Sequence, residues 1–113
     1  MNAAGVAAEE FCAEFLRKAG LRILARNWRC RLGEIDLVAE DRGTLVFVEV
    51  RMRRGRGYGG AAESVTAAKQ ARIAAAARLY LSGRRERNCR FDVLLLDALD
   101  PPRVQWVRNA FGA

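Results

Sequence analysis

Histidine is missing from this sequence of 113 residues, and cysteine and proline are scarce, with three and two residues respectively. Without histidine, imidazole acid–base catalysis and a histidine-ligated zinc site are both excluded. A metal ion would have to be held by oxygen or by thiolate. The cysteines, Cys12, Cys30 and Cys89, form no CxxC pair, which argues against a disulfide framework or a zinc site.

Long apolar runs are also missing, because the longest stretch without a charged residue is 1–8. A membrane-spanning helix needs about 18 or more apolar residues, so we expect no membrane partner. The early positions of Glu9 and Glu10 argue against a signal peptide and for a cytoplasmic protein. Hydrophobic residues still make up 51% of the chain, and the length predicts a single domain over 1–113.

Negative charge is in the minority, since 13 acidic residues face 20 basic ones and the net charge is +7. Nearly all of the basic residues are arginines, clustered at 17–31, 51–56 and 84–90. Arginine presents a planar fork of donors that suits phosphate. The clusters therefore predict nucleic acid, with DNA first, as the partner, and an ordinary solvated basic surface is the alternative interpretation.

The hydrophobic pattern changes between helical and strand periods along the chain. It predicts a helix over 4–18, strands over 21–28, 33–39 and 44–52, a glycine-rich loop over 55–60, a helix over 66–81, a strand over 90–98 and a short edge strand over 104–107. Thr66 is the N-cap candidate of the second helix, and the unbroken apolar run 93–96 predicts that the fourth strand is buried on both faces. A turn at 40–43 indicates that the second and third strands form a hairpin. The order predicts an α/β fold, in which helices pack on a mixed sheet.

Acidic residues interrupt both strands of this hairpin. Because side chains alternate along a strand, Asp36 is expected opposite Ile35 and Leu37. In the next strand, the alternation predicts one face with Phe47, Glu49 and Arg51 and the other with Val46, Val48 and Val50. The hairpin can bring the two carboxylates together, and such a pair suits Mg²⁺ or Mn²⁺. A metal ion of this kind activates water and neutralises charge on a phosphate. A structural ion pair with an arginine accounts for the same acids equally well.

Residues 33–36 (GEID) and 48–51 (VEVR) resemble the D…(D/E)-x-K core of the restriction-endonuclease-like nuclease superfamily. More closely, the chain resembles the small bacterial YraN-like family from about residue 8 to residue 111. The matching stretches are 23–29, 33–39, 45–51, 65–70 and 89–93. The resemblance implies a restriction-endonuclease-like αβββαβ core, with a mixed central sheet flanked by helices. It further implies a divalent-metal-dependent endonuclease that hydrolyses phosphodiesters in DNA, branched or structured DNA included, and acts as a homodimer.

The same resemblance implies roles for individual residues. The implied catalytic residues are Asp36, Glu49, Arg51 and Gln70, the metal ligands are Asp36, Glu49 and Glu9, and the nucleic-acid contacts are Arg51, Arg53, Arg54, Arg56 and Lys69. Glu9 corresponds to an acid on the first helix, and Gln70 to a polar residue that supports the site. Without the resemblance, both are ordinary residues of a helix surface.

Arg51 occupies the position where the superfamily usually has lysine. Because arginine stays protonated, it cannot act as a general base, although it can stabilise transition-state charge as a fixed cation. The sequence therefore leaves two functions open, a metal-dependent nuclease and a nucleic-acid-binding protein of the same fold that does not cut. A third class, an adaptor that docks through aromatic residues, also fits the sequence.

Overall fold

A computed structural model describes residues 3–53, 65–97 and 102–112. Its elements in chain order are α1 (Ala3–Lys18), β1 (Arg22–Cys30), β2 (Gly33–Asp41), β3 (Thr44–Arg53), α2 (Ala67–Leu81), β4 (Cys89–Asp97) and β5 (Arg103–Phe111). This order confirms the predicted α/β fold with its αβββαβ core, and β5 is longer than the short strand predicted over 104–107. The loop predicted over 55–60 lies outside the described residues.

The five strands form one mixed sheet in the order β1-β2-β3-β4-β5. β3 and β4 are parallel, and the other three neighbouring pairs are antiparallel. A parallel pair needs a crossover connection, which contains α2. The run from Val93 to Leu96 lies in β4 and is at most 5% exposed, which confirms the burial that its unbroken apolar sequence predicts.

One helix covers each face of the sheet, and the side chains of β3 divide between the two resulting cores. Val46 and Val48 pack with α1, whereas Phe47 packs with α2. This division confirms the alternation predicted for β3. Because the alternation continues along the strand, Glu49 and Arg51 lie on the face that α2 covers.

Two local features position the N-terminal half of α2. The Thr66 hydroxyl caps the helix by accepting a hydrogen bond from the backbone N–H of Lys69 at 3.1 Å, as the sequence predicts. On the sheet side, Gly33 of β2 has a φ of +157°, and a Cβ atom there would lie 3.1 Å from the carbonyl oxygen of Arg72. Glycine therefore permits the close approach of α2 to β2.

Asp92 is a fully buried acid that joins β4 to β5. Its carboxylate accepts hydrogen bonds from Trp106 Nε1 at 2.9 Å, from the backbone N–H of Asn109 at 2.9 Å and from Arg90 Nε at 3.1 Å. Arg90 also bonds to Asp41 at the end of β2, at 3.0 Å. The register of β4 and β5 shifts beside Asp92, so its carboxylate bonds a backbone donor where the regular pairing is interrupted.

The cysteines lie in three different environments. Cys12 is buried, Cys30 is half-buried and Cys89 is exposed, and none of the three is in a disulfide. Within the described residues, neither helix is long and apolar enough to cross a membrane.

Candidate active site

β2 and β3 separate at the point where the two strand acids lie. Their regular pairing is described as far as Leu37 and Val48. Beyond it, the backbone N–H of Val50 donates to Oδ2 of Asp36 at 2.9 Å. The Asp36 carboxylate therefore accepts the bond that a strand carbonyl would otherwise accept, and it links the two strands where they begin to diverge.

This divergence also changes which way the side chains of β2 point. Ile35 packs in the core under α2, whereas Leu37 packs in the core under α1. The prediction that Ile35 and Leu37 share a face is therefore wrong. The strict alternation breaks at Asp36 because its side chain, and not a backbone group, bonds to β3. Asp36 interacts electrostatically with both helices, with Glu9 and Cys12 of α1 and with Lys69 of α2.

Glu49 faces α2 and is 5% exposed. Its Oε1 lies 3.2 Å from Nζ of Lys69, the residue whose backbone N–H is bonded by the helix cap. The family resemblance implied a phosphate contact for Lys69 and did not indicate this ion pair. The Thr66 cap was the available signal, because it places residue 69 in the first turn, at the end of α2 near the strand acids.

Glu9 approaches the same region from α1 and is hydrogen-bonded to Asn27. Burial raises the pKa of Glu9, and the negative charges of Asp36 and Glu34 raise it further. Cys12, one turn further along α1, is affected by the same negative charges. Burial raises the pKa of its thiol to about 12, and the charges of Asp36 and Glu9 contribute to that rise.

The two strand acids have raised pKa values for the same reasons. Burial raises the pKa of Asp36, although the Val50 N–H and Lys69 oppose this shift. Burial raises the pKa of Glu49 to about 7, and repulsion by Asp36 adds to the rise against the opposing charges of Lys69 and Arg51. Lys69 and Arg51 therefore do not offset the cost of burying the two carboxylates in their charged form.

The donor chemistry of the site fits a hard divalent cation. Asp36 and Glu49 supply carboxylate oxygens from neighbouring strands, with Glu9 on the far side of Asp36. Within residues 3–53, 65–97 and 102–112, no group of three or more His, Cys, Asp or Glu side chains is arranged to hold a metal ion. Mg²⁺ usually keeps several waters and takes one or two carboxylates together with substrate phosphates, so a carboxylate pair is a suitable donor set.

The remaining predicted residues have different surroundings. Nε2 of Gln70 donates to the carbonyl oxygen of Val65 at 2.9 Å, which ties the first turn of α2 to the segment before it. Arg51 is half-buried and lies on the same face of β3 as Glu49. The side chain of Arg53 and all of Arg54 and Arg56 lie outside the described residues.

The stability of the protein should fall as the pH rises toward neutrality. Glu49 has a pKa of about 7 in the fold against an ordinary 4.5, so the folded state keeps a proton that the unfolded state releases. The stabilisation is full below about pH 4.5 and is lost as the pH rises through 7. We expect urea denaturation in EDTA to show a loss of roughly 2–3 kcal/mol between pH 5 and pH 8.

Glu49→Gln should remove most of this pH dependence and leave the protein at least as stable at pH 8. Lys69 loses its partner in this variant, but its side chain is 31% exposed and can be hydrated. Glu14→Gln is the matched control, because the Glu14 side chain is 55% exposed on α1, and it should keep the wild-type profile. An unchanged slope in Glu49→Gln would contradict the assignment.

Comparison with known proteins places the chain in a family. Residues 8–96 match the model of a family described as "Uncharacterised protein family UPF0102". A UPF0102 protein of Cupriavidus taiwanensis is 54% identical over 115 residues, covering 99% of this chain and 85% of that protein. Similar proteins of Pseudomonas aeruginosa and Symbiobacterium thermophilum are 49% and 52% identical, covering 96% of this chain and 92% and 96% of their own lengths. These matches confirm the YraN-like resemblance, and the chain belongs to the UPF0102 family.

Proposed function

We propose that the protein is a Mg²⁺- or Mn²⁺-dependent nuclease that hydrolyses phosphodiester bonds in DNA, branched or structured DNA included. The observation that carries the proposal is the position of two carboxylates, half-buried Asp36 and buried Glu49, on neighbouring strands where the regular pairing of β2 and β3 ends. A structural ion pair lowers the pKa of the acid that it neutralises. Here burial raises the pKa of both acids and outweighs Lys69, and for Glu49 the negative charge of Asp36 adds to the rise against Arg51. A divalent cation would supply the missing positive charge.

Asp36 and Glu49 would hold this cation, whose chemistry is to activate water and to neutralise charge on the scissile phosphate. Arg51, on the same face as Glu49, binds a phosphate oxygen and stabilises transition-state charge as a fixed cation. Lys69 is paired with Glu49 in the metal-free protein. When Glu49 holds the divalent cation, Lys69 donates to a second phosphate oxygen. Gln70 holds the first turn of α2 through Val65, and so acts as a positioning residue for Lys69.

Lys69→Met should lower metal-dependent cleavage by about a hundredfold, the usual cost of losing one donor to transition-state charge. The loss also removes an influence that lowers the pKa of Glu49, so the pH optimum should move upward. Lys18→Met, on the exposed end of α1, removes the same charge and should cleave like the wild type. If Lys69→Met cleaves normally, Lys69 only neutralises Glu49 in the metal-free protein.

A cleavage assay tests the function directly. The purified protein is incubated with duplex, four-way branched and single-stranded DNA in Mg²⁺, Mn²⁺ or EDTA. Cleavage that requires the divalent ion supports the proposal. No cleavage with either ion, together with no thermal stabilisation by them, would reject it. Sedimentation of the same sample tests the homodimer that the family resemblance implies.

The second candidate is a nucleic-acid-binding protein of the same fold that does not cut. The Lys69–Glu49 ion pair favours it, because an ammonium already lies against the better buried acid. Arg51 favours it as well, since it cannot lose a proton to become a base. Contact with about six phosphates would give a log–log salt slope near −5, and Asp36→Asn would leave that binding intact.

A further inference from the structure

A cavity of about 340 Å³ lies at the C-terminal end of α2, opposite the helix end that holds Lys69. It is lined by Leu24, Leu45, Tyr80, Leu81, Arg84, Arg85 and Arg87. Cavities that take small molecules measure roughly 300–1,000 Å³, so this one is large enough for a ligand. Its uncharged lining is apolar or aromatic and its charged residues are all arginines. This composition suits a ligand with a flat apolar body and an anionic group.

The fold holds two of the three guanidinium groups in place. Nε of Arg84 donates to the carbonyl oxygen of Tyr80 at 2.6 Å, and its guanidinium carbon lies 4.2 Å from the centre of the Tyr80 ring. Arg87 forms an ion pair with Glu40 and donates to the carbonyl oxygen of Gly43 at 2.9 Å. Groups fixed in this way lose little conformational freedom when a ligand binds.

Hydrogen bonds to the last carbonyl groups of α2 weaken the negative charge that this helix end presents to the cavity. The N–H of Ser82 donates to the carbonyl groups of Arg78 and Leu79, and the N–H of Arg84 donates to that of Leu81. These bonds satisfy the groups that would otherwise carry the negative end of the helix dipole.

The lowered pKa of Glu40 indicates that positively charged groups surround the cavity. The hydrogen bond from Arg87 lowers the pKa of Glu40, and the charges of Arg22 and Arg85 lower it further. Glu86, in the loop between Arg85 and Arg87, is exposed. The arginines at this end of the sheet therefore outnumber the acids beside them, and an anion is attracted to the cavity.

We propose that this cavity binds one unpaired nucleotide of a nucleic-acid strand, with its base against the apolar lining and its phosphate on Arg84 and Arg85. Unpaired bases stack on aromatic rings and on guanidinium planes. Arg84 already stacks on Tyr80, and it lines the cavity. Arginine also binds phosphate through paired donors. The inference rests on the proposed function only for the source of the nucleotide, since a free nucleoside monophosphate carries the same chemistry.

The distance between Lys69 and the cavity predicts how many nucleotides a nucleic-acid strand needs to reach both. From Lys69 to Tyr80, α2 rises by about 16 Å. Successive nucleotides of one duplex strand rise by about 3.4 Å, so a strand of duplex-like rise that occupies both ends of α2 would span about five nucleotides. Single-stranded DNA of six or more nucleotides should therefore bind more tightly than a trinucleotide.

The experiment is carried out in EDTA, so that cleavage has no part in it. Fluorescence anisotropy measures the binding of a labelled single-stranded DNA of about 12 nucleotides. Arg85→Gln should weaken binding about tenfold, because one charge-assisted contact to phosphate is lost. Arg103→Gln removes the same charge from the exposed start of β5 and should weaken binding less than about twofold. Equal losses in the two variants would overturn the cavity assignment.

Leu81→Trp fills the cavity without changing charge and should also weaken binding about tenfold, in a variant shown by its melting curve to be folded.

Competition then identifies the ligand chemistry. A strand with bases should compete at least about tenfold better than an abasic strand of equal length. If the abasic strand or inorganic phosphate competes equally well, the proposal is overturned. If a nucleoside 5′-monophosphate binds as tightly as the strand, the cavity takes a free nucleotide and the strand assignment is wrong. None of these results depends on whether the protein cleaves DNA.

Discussion

Glu49→Gln and Asp36→Asn are each expected to reduce metal-dependent DNA cleavage by at least about a hundredfold, the scale on which single electrostatic contacts to a transition state act. Each substitution keeps the size of the side chain and removes one of the two carboxylate charges that would hold the divalent ion. Because the pair supplies the donors from both β2 and β3, neither acid can replace the other. Initial rates on the preferred DNA substrate, at fixed Mg²⁺ concentration, provide the measurement.

We expect that a loss of activity in Glu49→Gln will not come from a loss of fold. The raised pKa of Glu49 predicts that this variant is at least as stable as the wild type at pH 8. Glu34→Gln is the matched control for Asp36→Asn, because Glu34 lies two residues earlier in β2 and is exposed beside Arg29 at 3.1 Å. Glu34→Gln should cleave at nearly the wild-type rate. Wild-type rates in Glu49→Gln or Asp36→Asn would show that the site is assigned wrongly.

Thermal stability gives an independent readout of the same site. An ion that binds only the folded protein stabilises it by about 2.7 kcal/mol at a concentration one hundred times its dissociation constant. Mg²⁺ or Mn²⁺ should therefore raise the melting temperature of the wild type at pH 8, where Glu49 is charged. The same ions should leave Glu49→Gln and Asp36→Asn almost unchanged. Stabilisation that persists in both variants would place the ion elsewhere.

The sequence predicted those parts of the fold that depend on local periodicity. Alternation assigned Phe47 to one face of β3 and Val46 and Val48 to the other, and the two cores confirm it. Alternation failed in β2, where Ile35 and Leu37 were expected on one face. The failure has a tertiary cause, because Asp36 bonds to the Val50 N–H of the neighbouring strand. A pattern within one strand contains no information about such a bond.

The pairing of Lys69 with Glu49 was beyond the sequence for a similar reason. The family resemblance named both residues but gave them separate tasks, metal binding and phosphate contact. Their contact depends on where α2 lies on the sheet, to which the close approach of Arg72 to Gly33 and the packing of α2 on the core both contribute. A sequence motif can therefore indicate the acids of the candidate site. Only the packing of α2 on the sheet brings the Lys69 side chain to Glu49.

Asp92 was missed because a single acid before an apolar run gives no pattern, yet Asp92→Ala is expected to cost about 3–5 kcal/mol of unfolding free energy. The reason is the number of donors that lose their acceptor. Trp106 Nε1, the N–H of Asn109 and Arg90 Nε all bond to this one fully buried carboxylate. Since domains are stable by only about 5–15 kcal/mol, such a loss would remove much of the total.

Asp41→Ala is the control for Asp92→Ala, because each substitution removes one carboxylate partner of Arg90. Asp41 bonds to the same guanidinium at 3.0 Å, but its side chain is 25% exposed, so water can replace it. We expect Asp41→Ala to cost about 1 kcal/mol or less in urea denaturation. Asp92→Asn should fall between the two, because the amide oxygen still accepts one bond while the charge that holds Arg90 is gone. If Asp92→Ala costs no more than Asp41→Ala, Asp92 does not hold β5 against β4.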